Sequence, residues 1–353
     1  MAGNSFGKIF KIMTFGESHG KALGVVVDGC PAGLEISEAD IQKELDRRRP
    51  GQSEITTPRD EKDIVEILSG VFEGKTTGTP IGMVVYNKNQ ISKDYDGVKN
   101  LFRPGHADYT YHMKYGFRDY RGGGRSSSRE TIGRVCAGAI AKKTLAKMNV
   151  SIFGHVVQVG KIKAERFVYD FIERNPVRCA DEQVAPKMFD LILETKNKGD
   201  SIGGIVEIQI KGVPVGLGEP VFDRLNAELA KAIMSIPAVK GIEFGVGFKV
   251  AEMFGSENND EISPYGFYSN NSGGTLGGIS SGQDIVFRFA VKPASSILIP
   301  KRTIDIFGNE TEAVTKGRHD PCVAPRVVPI GEAMAAIVIL DLLLIDRSRK
   351  NFF

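Results

Sequence analysis

Apolar residues recur at Ile132, Val135, Cys136, Ala139, Ile140 and Met148, a helical stripe that predicts a helix from Thr131 to Met148. Ala137, Gly138 and Ala141 fall on a further side of it and are small enough for close packing, so this helix is read as central. A different period marks Val206, Ile208 and Ile210, which alternate with Glu207, Gln209 and Lys211 as in a half-buried strand. Ile285 to Val291 reads as another strand, its apolar run interrupted by Arg288, and Leu23 to Val27 as an early one. Ser37 with Asp40 opens a helix through Leu45 that Pro50-Gly51 stops. Leu225, Leu229 and Ile233 place a helix over Asp223 to Met234. The longest apolar stretch, Ala333 to Ile345, contains Asp341 and is shorter than a bilayer span, so it reads as a buried helix and no membrane association is expected.

Strands and helices thus alternate irregularly, and no G-x-G-x-x-G follows a first strand as a dinucleotide-binding half requires. The residues give a mixed α and β chain, and without a Pro- or Ser-rich linker residues 1–353 are read as one domain. Composition agrees: 353 residues, 41% hydrophobic, 25% charged, and 41 glycines without a long polar tract. The net charge of +3 does not argue for nucleic acid. Cys30, Cys136, Cys179 and Cys322 are scattered without a C-x-x-C pair, which predicts reduced thiols in a cytoplasmic protein and no metal site of that kind.

The chemistry concentrates in glycine-bearing turns. Arg121-Gly-Gly-Gly-Arg125-Ser-Ser-Ser-Arg129 runs straight into the predicted central helix, and Ser127 with Glu130 has the spacing of a capping box, so the backbone amides and forked arginine donors form an anion site. Gly16-Glu-Ser-His19-Gly20 carries a histidine free to titrate near neutral pH. Arg103-Pro-Gly-His106-Ala-Asp108 is a turn presenting Arg103 and His106 together, with Asp108 near enough to orient or balance them. Lys292-Pro-Ala-Ser295-Ser296, and the Gly273–Gly282 loop before its strand, can hold a phosphate and the rim of a flat ring. Arg318-His319-Asp320 sets a cation, an imidazole and a carboxylate before Pro321. His112 and His155 lack such neighbours and are read as structural. Arg47, Arg48 and Arg49 at a helix end complement its dipole or bind an anion, and both readings stay open. Together these turns suggest an enzyme acting on a phosphorylated acidic small molecule. Two rivals remain: a phosphate-loop transferase, although Gly122-Gly-Gly-Arg125 lacks the Gly-Lys-Ser/Thr ending, and an RNA-binding module using Tyr109, Tyr111, Tyr115 and Tyr120.

Taken in order, Gly16–Gly20 with Asp28–Gly33, Arg103–Tyr109 with Arg121–Thr131, and Gly317–Cys322 resemble the signature regions of the chorismate synthase family. The similarity runs from Gly7 to about Ile345. It implies an α+β fold, a β-α-β sandwich with central helices between antiparallel sheets, assembled as a homotetramer. The implied activity is anti-1,4-elimination of phosphate and a ring hydrogen from 5-enolpyruvylshikimate 3-phosphate, which gives chorismate and requires reduced FMN although there is no net redox change. By position, His19 resembles the acid that protonates the departing phosphate, His106 the histidine that protonates or balances the reduced flavin, and Asp320 the carboxylate near flavin N5. Arg48, Arg103 and Arg129 match substrate-anion ligands; Arg125, Ser126, Ser127, Gly277, Lys292, Pro293, Ala294, Ser295, Ser296 and Arg318 match FMN contacts. Ser235–Val239 aligns with an FMN-contacting turn from a neighbouring subunit, where Pro237 replaces the family's frequent asparagine and leaves backbone or Ala238 to make the contact. Glu54 stands where many bacterial members carry arginine, which counts against a dedicated NADP site and implies a monofunctional enzyme supplied with reduced flavin from an external source.

Overall fold

The computed structural model describes residues 3–57, 61–88, 97–315 and 319–350. Two five-stranded antiparallel sheets enclose the long helices. The first has the order Ser5–Phe6, Lys11–Gly16, Ala22–Asp28, Ile81–Tyr86, Val65–Ile67. Its register sets Ile12 opposite Val27 and Val25 opposite Met83, so the residues of one parity are buried while Met13, Phe15, Val26 and Tyr86 of the other are exposed. The second has the order Val239–Phe244, Ile285–Val291, Gly204–Lys211, Ser151–Val159, Ile162–Lys163. Here Val206, Ile208 and Ile210 face inward opposite Phe289, Phe287 and Ile285. Arg288 does not interrupt the core: it stands on the outer side, 3.0 Å from Glu243.

The helices are α1 (Glu38–Arg48), α2 (Asp108–Tyr115), α3 (Thr131–Ala146), α4 (Ala185–Asn197), α5 (Leu225–Met234), the single turn α6 (Gly255–Asn258) and α7 (Ala324–Arg349). Helix α3 packs on the first sheet, α7 on the second, and α3 and α7 on each other. The small residues of α3 make that possible: a Cβ on Gly138 would lie 2.3 Å from Ala333 Cβ, and one on Gly133 3.1 Å from the Gly24 carbonyl. The result is the expected sandwich of sheet, helices and sheet.

Several element boundaries differ from the sequence reading: α3 ends at Ala146 rather than Met148, and α1 runs past Leu45 to Arg48. The predicted helix at Ala333–Ile345 is the C-terminal half of α7, which begins at Ala324 and continues through Pro329. Pro329 has no N–H for the Pro325 carbonyl, and Arg178 Nη1 donates to that carbonyl instead at 2.7 Å. At 26 residues α7 is long and apolar enough to cross a membrane, yet nearly all of it is buried in this protein's own core. Asp341, its internal carboxylate, accepts from the amides of Lys8, Ile9 and Phe10 at 2.7–2.9 Å and so ties the N-terminal loop to the helix. Helix α5 begins at Leu225 rather than Asp223, whose side chain pairs with Lys8.

A second polar anchor sits among the helices. Glu332 of α7, 1% exposed, accepts from Arg47 Nη1 at 2.6 Å and Nη2 at 2.9 Å, from Lys142 Nζ at 2.9 Å and from Gly154 N at 2.9 Å. It thereby joins α1, α3 and a strand of the second sheet. Burial opposes its ionisation, but Lys142 and Arg47 hold the carboxyl well below the usual range.

Candidate active site

A cavity of about 430 Å³ opens beside the start of α3, and segments far apart in sequence line it: the end of α1, the turns at 103–107 and 122–129, the loop 292–296 and the segment 319–330. Its size suits a small-molecule site. Gly122, Gly123 and Gly124 all have φ between +54° and +83°, a conformation that glycine takes without steric cost and that brings the backbone to the wall. Gly122 also makes room for His19. A Cβ there would come within 2.4 Å of His19 Cδ2, and the neighbouring Ser18 hydroxyl donates to Gly122 O at 3.2 Å. His19 is 7% exposed and packs behind this glycine, outside the cavity lining itself.

On the opposite rim His106 Nε2 lies 2.9 Å from Ser296 Oγ, and its Nδ1 3.1 Å from Pro104 O. Burial and the Arg103 guanidinium push the imidazole pKa down to about 4, so it is neutral at physiological pH in the ligand-free protein. Of the two groups the sequence offered it, Asp108 hydrogen-bonds Arg103 and not His106. Both its oxygens are engaged by Arg103, from Nε at 2.7 Å and Nη2 at 2.9 Å, with the Arg103 amide at 3.1 Å. The loop after the Ile285–Val291 strand closes on the same turn: Lys292 Nζ donates to Gly105 O at 2.7 Å and to Ser295 Oγ at 2.8 Å. Burial and nearby Lys240 lower the Lys292 pKa.

The inner wall is cationic. The three consecutive arginines at the end of α1 separate because each helical step turns the side chain by about 100°. Arg47 goes to Glu332, Arg49 stays outside, and Arg48, 1% exposed, enters the cavity wall. Arg48 donates to Asp63 Oδ2 and to Ser128 O, both at 3.0 Å, and burial lowers its pKa to about 10. Arg129 donates to Asp63 Oδ1 at 3.0 Å, to Asn87 Oδ1 and to Glu61. Asp320, 9% exposed, accepts from Thr57 N at 3.0 Å and from Arg326, whose Nε reaches the Arg48 carbonyl at 3.2 Å.

Not all predicted positions meet here. Ser126, Ser127, Lys292, Pro293, Ala294, Ser295 and Ser296 line the cavity. Arg125 turns away, donating to Gly16 O and Thr14 Oγ1 beside an adjoining cleft of about 300 Å³ that shares Ser126 and Pro237 with the main one. Gly277 forms the tip of the hairpin Thr275–Leu276 to Ile279–Ser280, outside the cavity lining. Arg318 lies outside the described residues. The turn expected to serve a neighbouring subunit borders its own chain's cavity through Ile236, Pro237 and Ala238. The capping box does not form. Ser127 Oγ instead accepts from Arg129 N at 3.4 Å in a short 3₁₀ turn ahead of α3, and Glu130 takes the Thr14 hydroxyl and Arg134. His112 packs against Phe102 and His155 against Glu207, both away from the cavity.

Sequence reasoning passed over Arg326, Asp63, Glu61 and Thr57. Arg326 lies six residues beyond Asp320 in the first turns of a helix that was expected to start later, and the other three lie in a stretch without a glycine-turn signal.

Residues 10–344 match the family model for chorismate synthase. The chain is 60% identical over 350 residues to the chorismate synthase of Methanosarcina mazei, covering 97% of this chain and 96% of that protein. It is 59% identical over 350 residues to the chorismate synthase of Methanosarcina barkeri, with the same coverage. A crystal structure of chorismate synthase superposes with a TM-score of 0.77 at 34% identity, over 97% of this chain and 93% of that one.

Proposed function

The chain belongs to the chorismate synthase family, a lyase of aromatic biosynthesis, and from that premise we propose that it converts 5-enolpyruvylshikimate 3-phosphate to chorismate with reduced FMN bound in the cavity beside α3. The observation that carries this reading is the meeting of His106, His319, Asp320 and the arginines Arg48, Arg103, Arg129 and Arg326 from distant segments around one cavity, with His19 directly behind its Gly122 wall. Arg48, Arg103 and Arg129 suit the substrate's phosphate and carboxylates, because forked guanidinium donors match planar and tetrahedral oxyanions. The cavity also suits a flavin. Ser296, Lys292 and the Gly122–Gly123 backbone offer polar contacts, while Ile236, Val327 and Ile330 supply apolar wall for a flat ring. A reduced flavin held by these residues would supply reversible one-electron chemistry to assist C–O cleavage without net redox change.

The protein's own groups handle protons and charge. His19, held behind Gly122, donates a proton to the departing phosphate, so that it leaves as the hydrogen phosphate dianion rather than as the far poorer trianion. His106 enters neutral, so it can take up a proton or donate a hydrogen bond next to an anionic ring; an anion there raises its pKa by the same Coulomb argument that Arg103 uses to lower it. Asp320, braced by Thr57 N and Arg326, assists removal of the ring proton from beside the flavin N5 position. Ser126 and Ser127 belong to the flavin side and Arg129 to the substrate side, so one helix start holds both ligands against each other.

The enzyme is monofunctional in this reading. Glu54 is exposed and absent from the cavity wall. Homotetramer assembly accords with the exposed apolar face of Met13, Phe15, Val26 and Tyr86 on the first sheet. The functional test is phosphate release under anaerobic conditions with dithionite-reduced FMN. Release is expected from 5-enolpyruvylshikimate 3-phosphate with equal chorismate, and none from ATP or shikimate 3-phosphate; hydrolysis of those esters would point to a phosphatase or NTPase instead. Addition of oxidised FMN and NADPH without dithionite should leave the flavin unbleached, and rapid bleaching would contradict the monofunctional reading.

A further inference from the structure

Arg48 and Arg129 reach the cavity from different elements, the end of α1 and the 3₁₀ turn ahead of α3, yet a single carboxylate joins them. Asp63 binds Arg48 Nη1 through Oδ2 and Arg129 Nη2 through Oδ1, each at 3.0 Å. It is 5% exposed and lies behind the guanidinium groups, outside the cavity lining. Its backbone is in the left-handed region at φ +46°, a conformation unusual for a residue other than glycine, asparagine or aspartate. We propose that Asp63 is a positioning residue for substrate binding: its carboxylate locks Arg48 and Arg129 at a fixed spacing, so that the pair meets the substrate's anionic group as one preformed clamp.

Charge alone would not select an aspartate here. A site that only maximised attraction for a polyanion would leave the two guanidinium groups without a counter-ion, because each buried carboxylate subtracts from the field at the ligand. Two arginines in contact repel, however, and each side chain has many rotamers to lose on binding. A shared carboxylate removes the repulsion and holds the rotamers before the ligand arrives, which is preorganisation of the kind that lowers the cost of binding. Three of the five N–H groups of Arg48 are used within the protein, on Asp63, Ser128 O and Thr131 Oγ1, which leaves donors for an incoming oxyanion.

The inference rests on the reading that these two arginines bind the substrate. Its test is Asp63→Asn, which keeps the shape and tolerates positive φ but turns an amide donor toward one of the arginines. We expect KM for the phosphorylated substrate to rise about tenfold, kcat to stay within about threefold, and the Kd for FMN to stay unchanged. An unchanged or lowered KM would overturn the proposal, since it would make Asp63 a mere neutraliser of charge. A joint rise in KM and in the FMN Kd, together with a fall in Tm, would overturn it as well by making the residue a general structural brace. If Asp63→Asn does not fold, Asp63→Glu keeps the charge and moves the carboxylate; a raised KM supports the clamp and a wild-type KM contradicts it. Should the wild-type protein fail to turn over the substrate, the functional reading falls by itself, and inorganic phosphate affinity, compared between wild type and Asp63→Asn by calorimetry, still decides the role: weaker binding by the variant supports the clamp, equal or tighter binding overturns it.

Discussion

Replacing Glu332 by glutamine tests how the helical layer is held together. The wild-type carboxylate takes four hydrogen bonds from Arg47, Lys142 and Gly154 and is almost fully buried. Glutamine keeps one acceptor and points an NH₂ group at two cations. Breaking one side of a buried ion pair costs roughly 3–5 kcal/mol. The lower end applies, because Glu44 still pairs with Arg47 at 2.8 Å and with Lys142 at 2.9 Å, and Glu173 with Arg47 at 2.7 Å. With an unfolding entropy of roughly 2.1 cal/mol/K per residue, about 3 kcal/mol over this chain corresponds to a Tm lowered by about 4 °C. The pH dependence carries a sign. The folded carboxyl has a depressed pKa, so its stabilisation is complete above the unfolded value of about 4.3 and is lost as pH falls toward the folded one. Urea denaturation of both proteins at a series of pH values should show a gap of about 3 kcal/mol at neutral pH that narrows below about pH 4. A variant as stable as wild type, or a gap that stays constant down to pH 3, would refute the reasoning.

Other substitutions probe the site. His19→Ala and His106→Ala should each lower turnover by roughly two orders of magnitude or more with folding intact, as loss of a positioned proton donor does; near-normal rates in both would remove their assigned roles. In the ligand-free protein the His106 ring should show no NMR titration between pH 5 and 8, because its pKa lies near 4, and a midpoint near the ordinary value of about 6.5 would contradict its described burial beside Arg103. Gly122→Ala places a methyl within 2.6 Å of His19 Nε2 on a left-handed backbone, so turnover should fall with the His19→Ala value as its floor while Tm drops only modestly; wild-type turnover would show that His19 need not sit where the structure has it.

The sequence disclosed the layers better than the wiring. Period-2 and period-3.6 patterns were legible at Val206–Ile210 and along α3 because each buries one face, and the small residues of α3 announced its close contact with α7. The first half of α7 was not legible, since a proline within a helix removes a backbone donor and the compensating donor, Arg178, lies 147 residues away. The glycine turns advertised the cavity because their backbone conformations demand glycine. Partners did not: Ser127 and Glu130 matched a capping box by spacing, but Thr14 and Arg134 claim the glutamate in three dimensions. Asp108 was legible as a partner of the Arg103–His106 turn, but only the structure shows that both its oxygens go to Arg103. Asp63 and Arg326 carried no local signal at all, since their role exists only where α1, the start of α3 and the C-terminal segment converge.

The most direct measurement is anaerobic turnover of 5-enolpyruvylshikimate 3-phosphate as a function of flavin redox state. The account predicts phosphate and chorismate in equal amounts with reduced FMN, the flavin unconsumed over many turnovers, and neither product with oxidised FMN or without flavin. Phosphate released without flavin, or without matching chorismate, would contradict it.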